Sequence, residues 1–196
     1  CRKKGIEGVT PEDIYTGNGL SELITMSMQA LLDNGDEILI PTPDYPLWTA
    51  AATLAGGRVV HYICDEASDW MPDIDDMRRK ITSRTKAIVI INPNNPTGTI
   101  VRKDELTRFL TELPKGITVV IDEAYGEFVT DPDFLSGLEC LKMGFTNVVV
   151  YRTFSKIYGL AGLRLGYAIA NPVLIEQMNR VREPFNVNLL AQTAGI

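Results

Sequence analysis

Histidine and cysteine are scarce in this chain: one histidine, His61, and three cysteines, Cys1, Cys64 and Cys140, in 196 residues. A zinc-type centre needs several such ligands at fixed spacing, so no metal site is expected. Cysteines that are scattered and odd in number build no disulfide frame. They read as reduced, structural residues of a cytoplasmic protein. His61 lies in the apparent strand Arg58-Val59-Val60-His61-Tyr62-Ile63 without a partner cluster, and reads as structural. No run of about 18 apolar residues is present, so a membrane-spanning helix is not expected. The start, Cys1-Arg2-Lys3-Lys4-Gly5, lacks the apolar core of a signal peptide. Start and end are both abrupt, as in a segment of a longer chain. The net charge of −6 comes from interspersed acids and bases, which argues against a nucleic-acid partner. There is no repeat, linker or low-complexity tract, so one domain over residues 1–196 is the economical reading.

What is present is an alternation of apolar runs and helical stripes. Leu20, Leu23, Ile24, Ser27, Met28, Leu31 and Leu32 make a helical stripe that the signal Asn34-Gly35 should close. Glu37 to Pro41 and Val59 to Ile63 read as strands, with a helix from about Tyr45 to Ala55 between them. Asp73 can cap a helix carrying Ile74, Met77 and Ile81. Ala87 to Ile91, Ile117 to Ile121 and Val148 to Tyr151 are apolar on both faces, as central parallel strands should be. Leu106 to Leu113 forms a helix, Leu165 to Ala170 a further strand, and Asn171-Pro172 starts a last helix. The order predicts an α/β fold: a doubly wound, mostly parallel sheet flanked by helices.

Polar residues cluster where those strands end. Thr153-Phe154-Ser155-Lys156 follows a strand and leads into a Gly-rich segment containing Arg164. A lysine can form a Schiff base, and hydroxyls with a guanidinium can hold a phosphate, so the stretch suits a phosphorylated carbonyl compound. Thr16-Gly17-Asn18-Gly19-Leu20-Ser21-Glu22 reads as a Gly turn into a helix N-terminus, a phosphate cradle. It is not G-x-G-x-x-G, because Glu22 stands at the third glycine position. Asn92-Pro93-Asn94-Asn95-Pro96-Thr97-Gly98 is a stiff loop able to aim an amide. Asp122, ending an apolar strand, should be partly buried and in need of a cation, for which a protonated pyridine nitrogen would serve. Each stretch has a plain alternative: a solvated loop, a simple Gly turn, a surface turn, a capping Asp. Their coincidence at strand ends of one sheet favours a site.

Asn94-Asn95-Pro96-Thr97-Gly98, Asp122-Glu123-Ala124-Tyr125 and Ser155-Lys156 with Gly162-Leu163-Arg164-Leu165-Gly166 together resemble the fold-type I pyridoxal-phosphate aminotransferases of classes I and II. The resemblance covers nearly the whole chain. It implies pyridoxal 5'-phosphate as cofactor, with Lys156 as the Schiff-base lysine and proton shuttle. Asp122 would pair with the pyridinium nitrogen, Tyr125 and Asn95 would bond the ring's phenolic oxygen, and Tyr45 would stack on the ring. Leu20, Ser21, Thr153, Ser155 and Arg164 would bind the phosphate. The implied reaction is amino-group transfer between an amino acid, or histidinol phosphate, and a 2-oxo acid, as in amino-acid biosynthesis. A lyase on the same scaffold and a non-catalytic cofactor-binding core are the alternatives. The stretch Thr16 to Trp48 is similar to alanine-type aminotransferases. Arg152 to Gly162, with Arg182 to Asn188, is similar to histidinol-phosphate aminotransferases. A divergent member or a chain assembled from two parents would both give that pattern. Relatives are homodimers about twice as long, so this chain is expected to be the large cofactor-binding domain without the N-terminal arm and C-terminal small domain. Efficient turnover by it alone is not expected.

Overall fold

The computed structural model describes residues 8–195. Cys1 and the charged start, residues 1–5, lie outside the described residues. The strands are β1 (Ile14–Asn18), β2 (Glu37–Thr42), β3 (Arg58–Asp65), β4 (Met71–Pro72), β5 (Thr85–Ile91), β6 (Thr118–Asp122), β7 (Val148–Thr153) and β8 (Leu165–Ala170). They form one sheet in the order β1-β8-β7-β6-β5-β2-β3-β4. The run β7-β6-β5-β2-β3 is parallel, while β8 runs antiparallel to both β7 and β1. The mixed, mostly parallel sheet agrees with the expected fold class. Reading Leu165 to Ala170 as one more strand of the alternating series gave no hint of its reversed direction.

Seven helices flank the sheet among the described residues: α1 (Gly19–Leu31), α2 (Leu47–Leu54), α3 (Ile74–Lys80), α4 (Lys103–Glu112), α5 (Gly137–Lys142), α6 (Pro172–Arg180) and α7 (Leu189–Ala194). The period-2 alternation of the strands sorts side chains into two cores. Val89, Ile91, Val120, Val149 and Tyr151 pack with Ile24 and Met28 of α1, Trp48 of α2 and Ile175 of α6. Ile88, Ile90, Val119, Ile121, Val148 and Val150 pack with Met77 of α3, Leu106 and Phe109 of α4 and Cys140 of α5. Both faces of the central strands are therefore covered, which is why they read as unbroken apolar runs. Cys64 and Cys140 are free and buried, and burial pushes their thiols up to about 11 and about 12. No helix among the described residues is long and apolar enough to cross a membrane.

Several boundaries differ from the sequence reading, among them α2, which begins at Leu47 and leaves Tyr45 in the preceding loop. Helix α1 stops at Leu31, with Leu32 extended at φ −114°, and Gly35 at φ +89° makes the following turn rather than the cap. The stretch Thr16 to Asn18 is not a turn but the end of β1, and Gly19, at φ +76°, begins α1 with no loop between them. Gly17 earns its place by packing, since a Cβ there would fall 2.7 Å from Leu23 Cδ2.

The sheet edge away from the site is closed by Glu37, a buried carboxylate at the start of β2. Arg84 reaches it at 2.7 Å, Arg58 at 3.3 Å and Thr82 Oγ1 at 2.5 Å. The Thr82 hydroxyl and the two guanidiniums, working against burial, hold its carboxyl below the ordinary value of 4.5. A depressed folded-state pKa contributes stability that is complete above the unfolded value and is lost as pH falls through the folded one. Glu37→Gln is therefore expected to cost about 1–3 kcal/mol at neutral pH. The gap from wild type should shrink as pH falls below about 4.5, measured by urea unfolding at a series of pH values.

Candidate active site

The parallel strands β2, β5, β6 and β7 all end at one edge of the sheet. Because β8 is antiparallel to both β7 and β1, the end of β1 and the start of β8 lie at that edge as well. Six segments distant in sequence thereby meet, the arrangement in which open α/β sheets bind ligands.

One end of the site is a collection of positive groups and donors. The first N–H groups of α1, from Gly19 onward, have no intrahelical acceptor and sit at the positive end of a helix of 13 residues. Arg164, in the left-handed region at φ +57°, lies over this first turn, donating from Nη1 to the Ala161 carbonyl at 3.1 Å. The approach depends on glycine. A Cβ at Gly19 would collide with the Arg164 guanidinium, and one at Gly166 would fall 2.8 Å from Leu20 N. Thr153 Oγ1 accepts from Ser155 N at 3.1 Å, which bends the chain from β7 into the loop that carries Lys156. Lys156 Nζ stands 4.9 Å from the centroid of the Tyr125 ring.

The other end is negative. Asp122, the last residue of β6, is 2% exposed. Its Oδ1 accepts from Ala124 N and its Oδ2 from Trp48 Nε1, each at 3.0 Å. Burial pushes its carboxyl up, against the pull of those two donors and of the Lys156 charge. Trp48 is itself fixed, fully buried and stacked on Tyr151 at 5.7 Å with 7° between ring planes. The Tyr151 hydroxyl bonds Ser27 Oγ of α1.

Between the two ends stand Tyr45, Asn95 and Tyr125. Asn94 organises the Asn95 loop, its Oδ1 accepting from Thr97 N at 3.2 Å and Thr97 Oγ1 at 3.0 Å. Asn92 N donates to the Asp122 carbonyl at 2.9 Å and joins that loop to β6. Leu20, Ser21, Tyr45, Asn95, Asp122, Tyr125, Thr153, Ser155, Lys156 and Arg164, the ten residues singled out in the sequence, line a single cavity of about 230 Å³. Ile91, Ala124 and Ala161 complete the lining. His61 lies elsewhere, exposed on β3. The donor set fits a flat ligand that is cationic at one end, anionic at the other and reactive toward an amine.

Trp48 was not identified as a site residue from sequence. It is fully buried near the start of α2, and nothing in the residue pattern marks its indole nitrogen as bonded to Asp122. Also missed was Glu123, fully buried behind Asp122 and paired with Arg152 at 2.7 Å. The Asp-Glu doublet at a strand end, one residue to each face, was the available sign.

Residues 4–196 match the family model described as aminotransferase class I and II. Glutamate-pyruvate aminotransferase AlaA of Escherichia coli is 49% identical over 86% of this chain and 42% of its own length. Histidinol-phosphate aminotransferase of Moorella thermoacetica is 44% identical over 96% of this chain and 48% of its own. Both similarities run across most of the chain, which spans less than half the length of either relative. Among solved structures, an alanine aminotransferase from Pyrococcus furiosus superposes with a TM-score of 0.85 at 39% identity, over 98% of this chain and 50% of that one. An aspartate aminotransferase double mutant from Thermus thermophilus gives 0.87 at 29% identity, over 99% and 51%. A match over nearly every residue, together with the fold and the lining of its one-edge cavity, leads to a single assignment: the chain belongs to the class I and II aminotransferase family.

Proposed function

We propose that this chain is the pyridoxal-phosphate-binding large domain of an aminotransferase that moves an amino group between an amino acid and a 2-oxo acid in the cytoplasm, as a homodimer. Histidinol phosphate is among the amino donors compatible with the relatives' names. The observation that carries the reading is the polarity of the cavity. A buried, doubly hydrogen-bonded carboxylate, Asp122, stands at one end, Arg164 and the α1 N-terminus gather at the other, and Lys156 lies beside Tyr125 within reach of the Asp122 charge.

The cofactor, when bound, supplies an electron-withdrawing ring that spreads the charge left when a Cα proton departs. The protein's residues supply the rest. Lys156 is the amine that attaches the cofactor and the base that holds and returns the migrating proton at Nζ. Asp122 would pair with the ring nitrogen and keep it protonated. Its two N–H donors keep the carboxylate oriented and favour its charged form. Tyr45 would pack on the ring, and Tyr125 and Asn95 would donate to its phenolic oxygen. The first turn of α1, the Thr153 and Ser155 hydroxyls and Arg164 would hold the phosphate, to which a guanidinium fork is suited.

Addition of pyridoxal phosphate should give a visible absorbance band and, after borohydride reduction, a single stable adduct mapping to Lys156. Lys156→Ala should remove both, and adducts spread over surface lysines would overturn the reading. Incubation with amino acids, followed by product analysis, then separates amino-group transfer (keto acid and pyridoxamine phosphate) from elimination (pyruvate with ammonia or thiol).

Trp48→Phe keeps a ring against Tyr151 but removes the N–H donor from Asp122. The bond favours the charged form of Asp122, so its loss should weaken cofactor binding, with about 1.5–3 kcal/mol, roughly a hundredfold, as the upper bound. Titration of the absorbance band, with a thermal midpoint recorded alongside, checks it.

A further inference from the structure

Two of the segments that line the cavity, those carrying Tyr125 and Lys156, rest on one guanidinium beneath the sheet. At the ends of β6 and β7 the side chains alternate between faces. Asp122 and Thr153 point to the cavity with the core of Val120 and Tyr151. Glu123 and Arg152 point away, with the core of Ile121 and Val150. Under the sheet the Glu123 carboxylate accepts from Arg152 Nε at 3.0 Å, Arg152 Nη2 at 2.7 Å, Ser136 Oγ at 3.1 Å and the Gly137 N–H. The Glu123 side chain is fully buried and that of Arg152 is 14% exposed.

The guanidinium reaches further. Its Nη1 donates to Glu127 Oε1 at 3.5 Å, and the same oxygen accepts from the Tyr158 hydroxyl at 3.5 Å. Glu127 lies two residues beyond Tyr125, and Tyr158 lies two residues beyond Lys156. Arg152, Glu127 and Tyr158 therefore form a chain of polar contacts from the strand ends to both loops. On the opposite side of those loops Lys156 Nζ meets the Tyr125 ring. A buried ion pair is a poor source of stability, because desolvation offsets the attraction and a well-packed apolar pair does as well. What a forked, multiply bonded guanidinium supplies instead is a fixed geometry.

We propose that Arg152 is a positioning residue that, through Glu127 and Tyr158, sets the placement of Lys156 Nζ against Tyr125. The proposal rests on the reading of Lys156 as the cofactor amine, but its central measurement needs no cofactor. Trace labelling with acetic anhydride, followed by peptide mapping, gives the reactivity of Lys156 relative to the exposed reference lysines Lys115 and Lys142. Arg152→Lys keeps the charge opposite Glu123 and loses the fork. Glu127→Gln weakens the link to the loops by removing its charge, Tyr158→Phe cuts it by removing the hydroxyl, and both leave the buried pair intact.

In all three variants Lys156 should label about two- to fivefold faster than in wild type, the scale of a lost cation–π contact. Pyridoxal phosphate should bind about fivefold or more weakly, and the thermal midpoints of Glu127→Gln and Tyr158→Phe should not move. Unchanged relative labelling of Lys156 in the three variants overturns the proposal, as does a change confined to variants whose thermal midpoint falls, since that is a structural role. A wild-type protein that forms no adduct at Lys156 overturns the functional reading separately, and the labelling still decides the role of Arg152.

Discussion

A carboxylate almost without access to water, at the end of a central strand, imposes conditions on everything near it. Asp122 can stay there only if donors replace the water it has lost. One comes from the backbone of Ala124, and the other from an indole on a different helix. That indole must in turn be held, and it is held by a near-parallel stack on Tyr151, whose hydroxyl is bonded to Ser27 of α1. A polar thread thus passes through an otherwise apolar core, from the cavity floor to the helix whose N-terminus lies at the cavity's far end. The groups that hold one end of the site and those that form the other belong to a single packed unit. Partly satisfied networks of this kind are costly and fully satisfied ones are specific.

The two edges of the sheet are used differently. At the edge where the parallel strands begin, Glu37 is closed in by two arginines and a threonine. At the other, charges are brought together around open space. Side-chain alternation carries the division through the thickness of the sheet too. Asp122 serves the cavity, while its neighbour Glu123 is turned into the opposite core and consumed by Arg152. Adjacent acids in sequence have unrelated tasks because one peptide unit in a strand is half a turn.

Much of this was legible in the residues. Val89, Val120 and Val150 lie in runs with no polar face, which forces them into the middle of a two-sided sheet, and the polar residues that follow such runs fall at one edge by topology alone. That logic located Lys156, Asp122 and Asn95. Other features were hidden for identifiable reasons. Gly17 and Gly19 resemble a turn, but the first is a packing surface for Leu23 and the second a sharp entry into α1. The apolar run Leu165 to Ala170 has no mark of strand direction. Helices α5 and α7, six residues each, are too short to show a period. Trp48 is a core residue, and only its partner reveals that its nitrogen is also in use.

The pairing of β1 with β8 has a consequence for the order of events when the chain folds. Ile14 to Asn18 find their partners only in Leu165 to Ile169, about 150 residues later, whereas most other neighbouring strands are joined by much shorter connections. Closing so long a loop is entropically unfavourable and slow relative to local pairing. The sheet from β2 through β7 can therefore assemble before β1 is admitted to its place. It is β1 that delivers the first turn of α1 to Arg164. The end of the cavity where Arg164 meets the first turn of α1 would then be completed late, and a ligand seated there would act as a latch on the finished chain, drawing the final step of folding forward by mass action.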